Sequence, residues 1–165
     1  MTAGATGKGF SHLDASGDAR MVDVSAKEVT ARTATASGRV LVSGDVVTLL
    51  RAGGMPKGDA LAVARIAGIQ AAKRTPDLVP LCHPIAIHAV EVGLQVHDDH
   101  VAIVATVRTA DRTGVEMEAL TCVAVAGLAL VDMVKGVDPG AQITDVRVEE
   151  KAGGTTGRWT RAALG

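Results

Sequence analysis

Side chains able to move protons or hold an anion gather in a few short stretches of this chain. Lys57-Gly58-Asp59 sets a lysine just ahead of a predicted helix N-terminus, where main-chain N–H donors and the helix dipole favour an anion. Asp132 and Lys135 are three residues apart, which makes an acid and a base neighbours on one helix surface. Glu118 lies fourteen residues before Asp132, close to four full turns, so the spacing predicts a shared stripe. Glu116 stands three residues after Thr113, the spacing of a capping box, and so has a structural task in prospect.

The segment Pro76 to Pro84 (PDLVPLCHP) holds three prolines in nine residues, a stiff backbone predicted to be non-helical. His83 precedes Pro84 and is confined to extended conformations, so it can be set against a ligand at little entropic cost. Adjacent Cys82 and His83 are a poor metal pair, because an extended chain points them to opposite faces. Lys151 leads into AGGTTG, where Gly153, Gly154 and Gly157 either let the backbone close over an anion or form a flexible tail. Each feature also has a plainer reading: a histidine satisfying buried backbone, a surface ion pair at a helix end, a solvated loop lysine. No G-x-x-x-x-G-K-[ST] motif occurs, so ATPase chemistry has no support.

These residues need elements to hold them. Glu28 to Ser43 is an alternating Thr- and Val-rich run, a strand with a kink expected at Gly38. Ser43 to Arg51, followed by Gly53-Gly54, has the punctuation of a short helix. Asp59 offers the N-cap of a longer helix expected to stop before Thr75-Pro76, with Lys73 and Arg74 in its last turn. Ile85 to Val96 and Val101 to Thr109 are β-rich runs joined by the polar turn His97-Asp98-Asp99-His100. A helix from Thr113 to about Lys135 follows, then a strand from Ile143 to Glu149. The order β-α-α-β-β-α-β is that of an α+β, ferredoxin-like sandwich, a four-stranded antiparallel sheet with helices on one face.

At 165 residues the chain fits one domain, placed at residues 12 to 158 between a disordered tail (1 to 11) and a C-terminal tail (159 to 165). It is 47% apolar with a mean hydropathy of +0.26 but only 1% aromatic, so Ala, Val, Leu and Ile must build the core. So much apolar residue in a short chain predicts a homo-oligomer. Seventeen basic and eighteen acidic residues leave a net charge of −1, and one Phe, one Trp and no Tyr offer few stacking platforms, which argues against nucleic acid. Two cysteines suggest a reducing compartment. The N-terminus lacks the apolar run of a signal peptide, and the longest uncharged stretch, Ala119 to Val131, is 13 residues against the ~20 of a bilayer span. A cytoplasmic location with no membrane contact is the expectation.

Taken together, MVDVSAK (Met21 to Lys27), KGD with ARIAGIQAAKRT (Lys57 to Thr75), LVPLCHP (Leu78 to Pro84), TGVEMEALT (Thr113 to Thr121) and DMVK (Asp132 to Lys135) closely resemble the cyclic pyranopterin monophosphate synthases, the molybdenum cofactor biosynthesis protein C family. The resemblance runs from about Phe10 to Gly157. It implies a lyase that rearranges a cyclic dihydroguanosine triphosphate to cyclic pyranopterin monophosphate and releases pyrophosphate. It also implies a homohexamer, a trimer of dimers, with each site at a dimer interface. By matching motif, Asp132 resembles the active-site acid and Lys135 its lysine partner. Leu81, Cys82 and His83, with Met117, Glu118 and Glu116, resemble the substrate-contacting segments. Lys57, Lys73 and Lys151 resemble the basic groups around the triphosphate, and Arg32 stands where a site arginine would. Thr155 departs from the pattern, replacing the usual lysine of the tail.

Clustered lysines neutralise a triphosphate as point charges, and a crowded lysine can serve as a general base. Lys57 and Lys135 are expected to divide the proton transfers, with Asp132 orienting Lys135. No resident cofactor or metal is expected, Mg²⁺ being an ion that the triphosphate could bring with it. The competing expectation is a regulatory module that binds a nucleotide or pterin without transforming it.

Overall fold

The computed structural model describes residues 11 to 163; residues 1 to 10 of the expected N-terminal tail lie outside it. The strands are β1 (Thr30–Leu41), β2 (Ala89–Val96), β3 (His100–Asp111), β4 (Gln142–Ala152) and β5 (Trp159–Thr160). The helices are α1 (Gly44–Ala52), α2 (Ala60–Ala72), α3 (Thr75–Leu78) and α4 (Glu116–Val134).

All strand pairs are antiparallel in the order β2-β3-β1-β4-β5, so the first four form the expected split β-α-β arrangement. The fifth strand is an addition. Trp159 and Thr160, assigned by the sequence to a C-terminal tail, pair with Lys151 and Glu150 on β4.

Period-two burial sets the inner face of the sheet. Ala34, Ala36 and Val40 on β1 and Val101, Ile103, Ala105 and Val107 on β3 are buried on the face that α4 covers, while α2 packs on α4 and β2. The kink expected at Gly38 coincides with a shift in the β1–β4 register, and a side chain there would press within 2.7 Å of Val123. The β2–β3 turn closes with His97 N–H donating to the His100 carbonyl at 2.8 Å, their rings stacked.

Small residues let the two main helices approach. On α2, Ala60, Ala64, Gly68, Ala71 and Ala72 are buried, and a Cβ at Gly68 would sit 2.9 Å from the Cys122 carbonyl. With no large aromatic among the described core residues, close backbone contact supplies the packing density. α4 buries Ala119, Cys122, Val123, Ala126, Gly127, Leu130, Met133 and Val134, a helical stripe facing β1, β3 and β4. The uncharged run Ala119 to Val131 is the middle of α4, a 19-residue helix that by length and composition alone could cross a membrane. Half of its most apolar window is buried inside the chain, as befits a core helix.

Three local expectations are corrected. The Pro76 segment is not free of helix: Thr75–Leu78 forms one turn with Pro76 in its opening positions, where the missing N–H costs nothing. α2 ends at Ala72 with Lys73 as C-cap, so neither Lys73 nor Arg74 lies in its last turn. The capping box of α4 does not form, since Val115 is the N-cap and no side chain caps it. Glu116 pairs instead with Lys151.

Candidate active site

α2 runs antiparallel to α4, and that relation sorts the chemistry-bearing residues into two groups. The loop before α2 meets the C-terminal end of α4, whereas the segment after α3 meets its N-terminal end.

At the C-terminal end, Asp132 is held between two ammonium groups. Lys135 Nζ lies 2.7 Å from one carboxylate oxygen, one helical turn on. Lys57 Nζ donates to the Asp132 main-chain carbonyl at 2.8 Å and lies 3.5 Å from the second carboxylate oxygen. Hydrogen bonding from Lys135, then the charges of Lys135 and Lys57, hold the Asp132 carboxyl below its usual range. All three side chains are about half exposed, so an arriving anion can reach the lysines without opening the fold.

At the other end lies an open cavity of about 1100 Å³, lined among others by Leu81, Cys82, His83, Glu116, Met117 and Lys151. Glu118 lies behind it, 1% exposed. Cys82 Sγ donates to Glu118 Oε1 at 3.6 Å, while buried Oε2 has no hydrogen-bond partner among the described residues. Burial pushes the Glu118 carboxyl up from its ordinary value, and burial followed by the Glu118 charge pushes the Cys82 thiol up to about 11. Burial thus opposes ionisation of both groups. His83 donates its Nε2–H to the Val22 carbonyl, which fixes the ring and leaves Nδ1 outside that contact. Lys151 Nζ pairs with Glu116 Oε1 at 2.8 Å, so an acid and a base share the cavity wall.

The two groups do not meet within one chain. Glu118 and Asp132 are fourteen residues apart on α4, which at 1.5 Å per residue is about 21 Å along the axis. Two further predicted residues stand apart from the cavity lining. Lys73 is exposed at the C-cap of α2. Arg32 donates Nε to the Asp111 carbonyl at 2.9 Å and Nη2 to the Arg112 carbonyl at 3.2 Å, which ties β1 to the chain beyond β3. Gly153 and Gly154, with φ of 98° and 74°, pass against Ala31 and the Arg32 guanidinium where a Cβ would collide. In this structure those glycines close the tail over the protein's own arginine. Thr155 is exposed in the turn that follows.

Comparison with known proteins then decides the lineage. The family model described as "MoaC family" matches residues 21 to 154. The chain belongs to the MoaC family. It is 69% identical over 153 residues to a protein of Streptomyces coelicolor named cyclic pyranopterin monophosphate synthase, covering 93% of this chain and 90% of that one. A protein of the same name from Nocardioides sp. is 68% identical over 155 residues, covering 92% and 95%. Another from Rhodospirillum rubrum is 52% identical over 160 residues, covering 96% of each. The MoaC match spans both residue groups at the two ends of α4.

Among the described residues no three of His, Cys, Asp and Glu come together in a way that could hold a metal ion. Sequence reasoning passed over His12, Lys27 and Trp159, all of which line the cavity. For Trp159 a signal existed: it is the single tryptophan of a chain with 1% aromatics.

Proposed function

We propose that this MoaC-family chain is a cyclic pyranopterin monophosphate synthase, a phosphorus–oxygen lyase acting on a cyclic dihydroguanosine triphosphate in molybdenum cofactor biosynthesis. The observation that carries the reading is Asp132 gripped between Lys57 and Lys135, in a chain 69% identical to a protein of that name.

The triphosphate carries roughly three to four negative charges, for which movable lysine point charges are suited. In the phosphoryl step a sugar hydroxyl oxygen bonds to the α-phosphorus as the bond from that phosphorus to the β-bridging oxygen breaks. The hydroxyl proton passes to a basic group, and the electron pair of the broken bond leaves on pyrophosphate, whose charge the lysines stabilise. Ring opening and reclosure need further proton transfers, which Lys57 and Lys135 divide while Asp132 orients both. Glu118 and His83 serve the heterocycle and sugar end. No resident cofactor enters these steps, and any Mg²⁺ arrives with the triphosphate as part of the substrate.

About 21 Å of helix separates the lysine–carboxylate group from the cavity. A single substrate can engage both only if the C-terminal end of α4 in one copy meets the cavity of another. A homo-oligomer, in the hexameric form the resemblance implies, therefore completes each site, and the location is cytoplasmic.

Two measurements test this reading. Product formation from the cyclic triphosphate, followed by mass spectrometry, is expected; recovery of the ligand unchanged would make the chain a binding module instead. For the shared site, Asp132→Ala and Lys151→Ala chains are unfolded and refolded together. Recovery of about a quarter of the wild-type rate is expected, since half the pairs are mixed and each carries one intact site. No recovery would mean that no site draws one group from each copy.

A further inference from the structure

We propose that the indole of Trp159 is the surface on which the fused heterocycle of the substrate stacks. The proposal rests on the functional reading above and adds a binding residue to it.

The first support is placement. β5 lies antiparallel to β4 with Trp159 directly opposite Lys151, whose ammonium holds Glu116 at 2.8 Å on the cavity wall. Trp159 itself lines the cavity. The turn that brings the chain back to this point passes through Gly153, Gly154 and Gly157, all with left-handed φ, so the indole's position is set by backbone geometry.

Orientation is the second. The Arg161 guanidinium lies 5.6 Å from the indole centroid. It is fixed in turn by Nε donating to the Val148 carbonyl at 2.7 Å and by proximity to the Glu149 carboxylate. An anchored cation over one face restrains the ring and leaves the indole a preorganised plane.

The third is the apolar surface left uncovered. Trp159 is 43% exposed, and two more cavity residues, Met117 at 40% and Leu81 at 36%, are also exposed. Three large apolar side chains around one opening, with Glu116 and Lys151 also on its wall, suit a flat ligand that is apolar on its faces and polar at its edge. A purine or pterin ring has that character, and a bare phosphate chain does not. Trp159 carries no titratable group, so its contribution is to binding and not to proton transfer.

Because Trp159 is the only tryptophan, its emission reports the site directly. Full-length protein, excited at the red edge of indole absorption, is titrated with GTP and separately with inorganic tripolyphosphate. Saturable quenching by GTP and none by tripolyphosphate is expected. In steady-state assays, Trp159→Leu keeps apolar bulk without a flat ring and is expected to raise KM about tenfold with kcat within about twofold, whereas Trp159→Phe restores most of the loss. Unchanged emission with GTP, equal quenching by both ligands, or a wild-type KM in Trp159→Leu would overturn the proposal. Each of those results, obtained while the wild-type protein still forms product, leaves the functional reading standing. Absence of product from the wild type is the separate failure of that reading.

Discussion

Lys57 donates to the main-chain carbonyl of Asp132 at 2.8 Å and at the same time faces its carboxylate at 3.5 Å. One lysine thereby links the loop before α2 to the last turn of α4, and it does so at the surface. Exposed pairs of this kind add little to stability because water and salt screen them. Lys57→Ala and Asp132→Asn are expected to leave Tm within about 2 °C of wild type. Product formation is expected to fall by about a hundredfold or more. Differential scanning calorimetry beside a turnover assay checks both, and a normal rate in either variant would remove that residue from the site.

Glu118 makes the opposite prediction. Burial raises its carboxyl above the ordinary value of 4.5, so the folded state holds the proton more tightly than the unfolded chain does. Stability from this group is complete below that ordinary value and is lost as pH climbs through the raised folded value. Glu118→Gln removes the titration while keeping the shape. Its Tm relative to wild type is expected to rise as pH climbs from the ordinary carboxyl value through the raised folded one. A pH-independent difference between the two proteins would show that the carboxyl is not buried as described.

The Cys82 thiol, held up to about 11 by burial and by Glu118, should be a sluggish nucleophile despite lining an open cavity. Alkylation by iodoacetamide at neutral pH is expected to run about a hundredfold slower than for a free thiol, as followed by mass spectrometry. Cys122, buried and pushed up to about 12, should remain unmodified in the native protein. Fast labelling of Cys82 would argue for a cationic partner at this end of α4.

Gly68 lies where α2 touches α4, and an added methyl would sit 2.9 Å from the Cys122 carbonyl and 3.1 Å from both the Ala126 Cβ and the Cys122 sulfur. Backbone cannot yield as a flexible side chain can. Gly68→Ala is expected to destabilise by about 1 to 3 kcal/mol, despite the better helix propensity of alanine. Urea unfolding at a fixed pH measures it, and an unchanged midpoint would mean that the helices sit further apart.

Much of the fold was legible because its elements announce themselves locally. Ser43, Asp59 and Gly53 mark helix ends by chemistry confined to one turn, and the caps form as expected. The alternation read in the first strand is likewise matched by the period-two burial of β1. The capping box at Thr113 was misread because its glutamate has a partner from β4, a competitor that no local pattern contains. Trp159 and Thr160 read as a tail because two residues carry no strand signal, and their pairing comes from the edge of β4. Arg32 shows the same limit, since its three-dimensional partners are carbonyls some eighty residues away.

By itself the sequence determined the residue chemistry: a lysine ahead of a helix, an acid and a lysine one turn apart, and a histidine locked by proline, in a motif order that belongs to one family. The tertiary structure decided where that chemistry stands. Helical spacing places Glu118 and Asp132 on one stripe, yet the antiparallel packing of α2 on α4 gives each end of that stripe different neighbours. One carboxyl is buried beside a thiol, and the other lies in water between two lysines. Periodicity specifies direction around a helix axis, whereas burial and partnership depend on what the rest of the chain brings to each end.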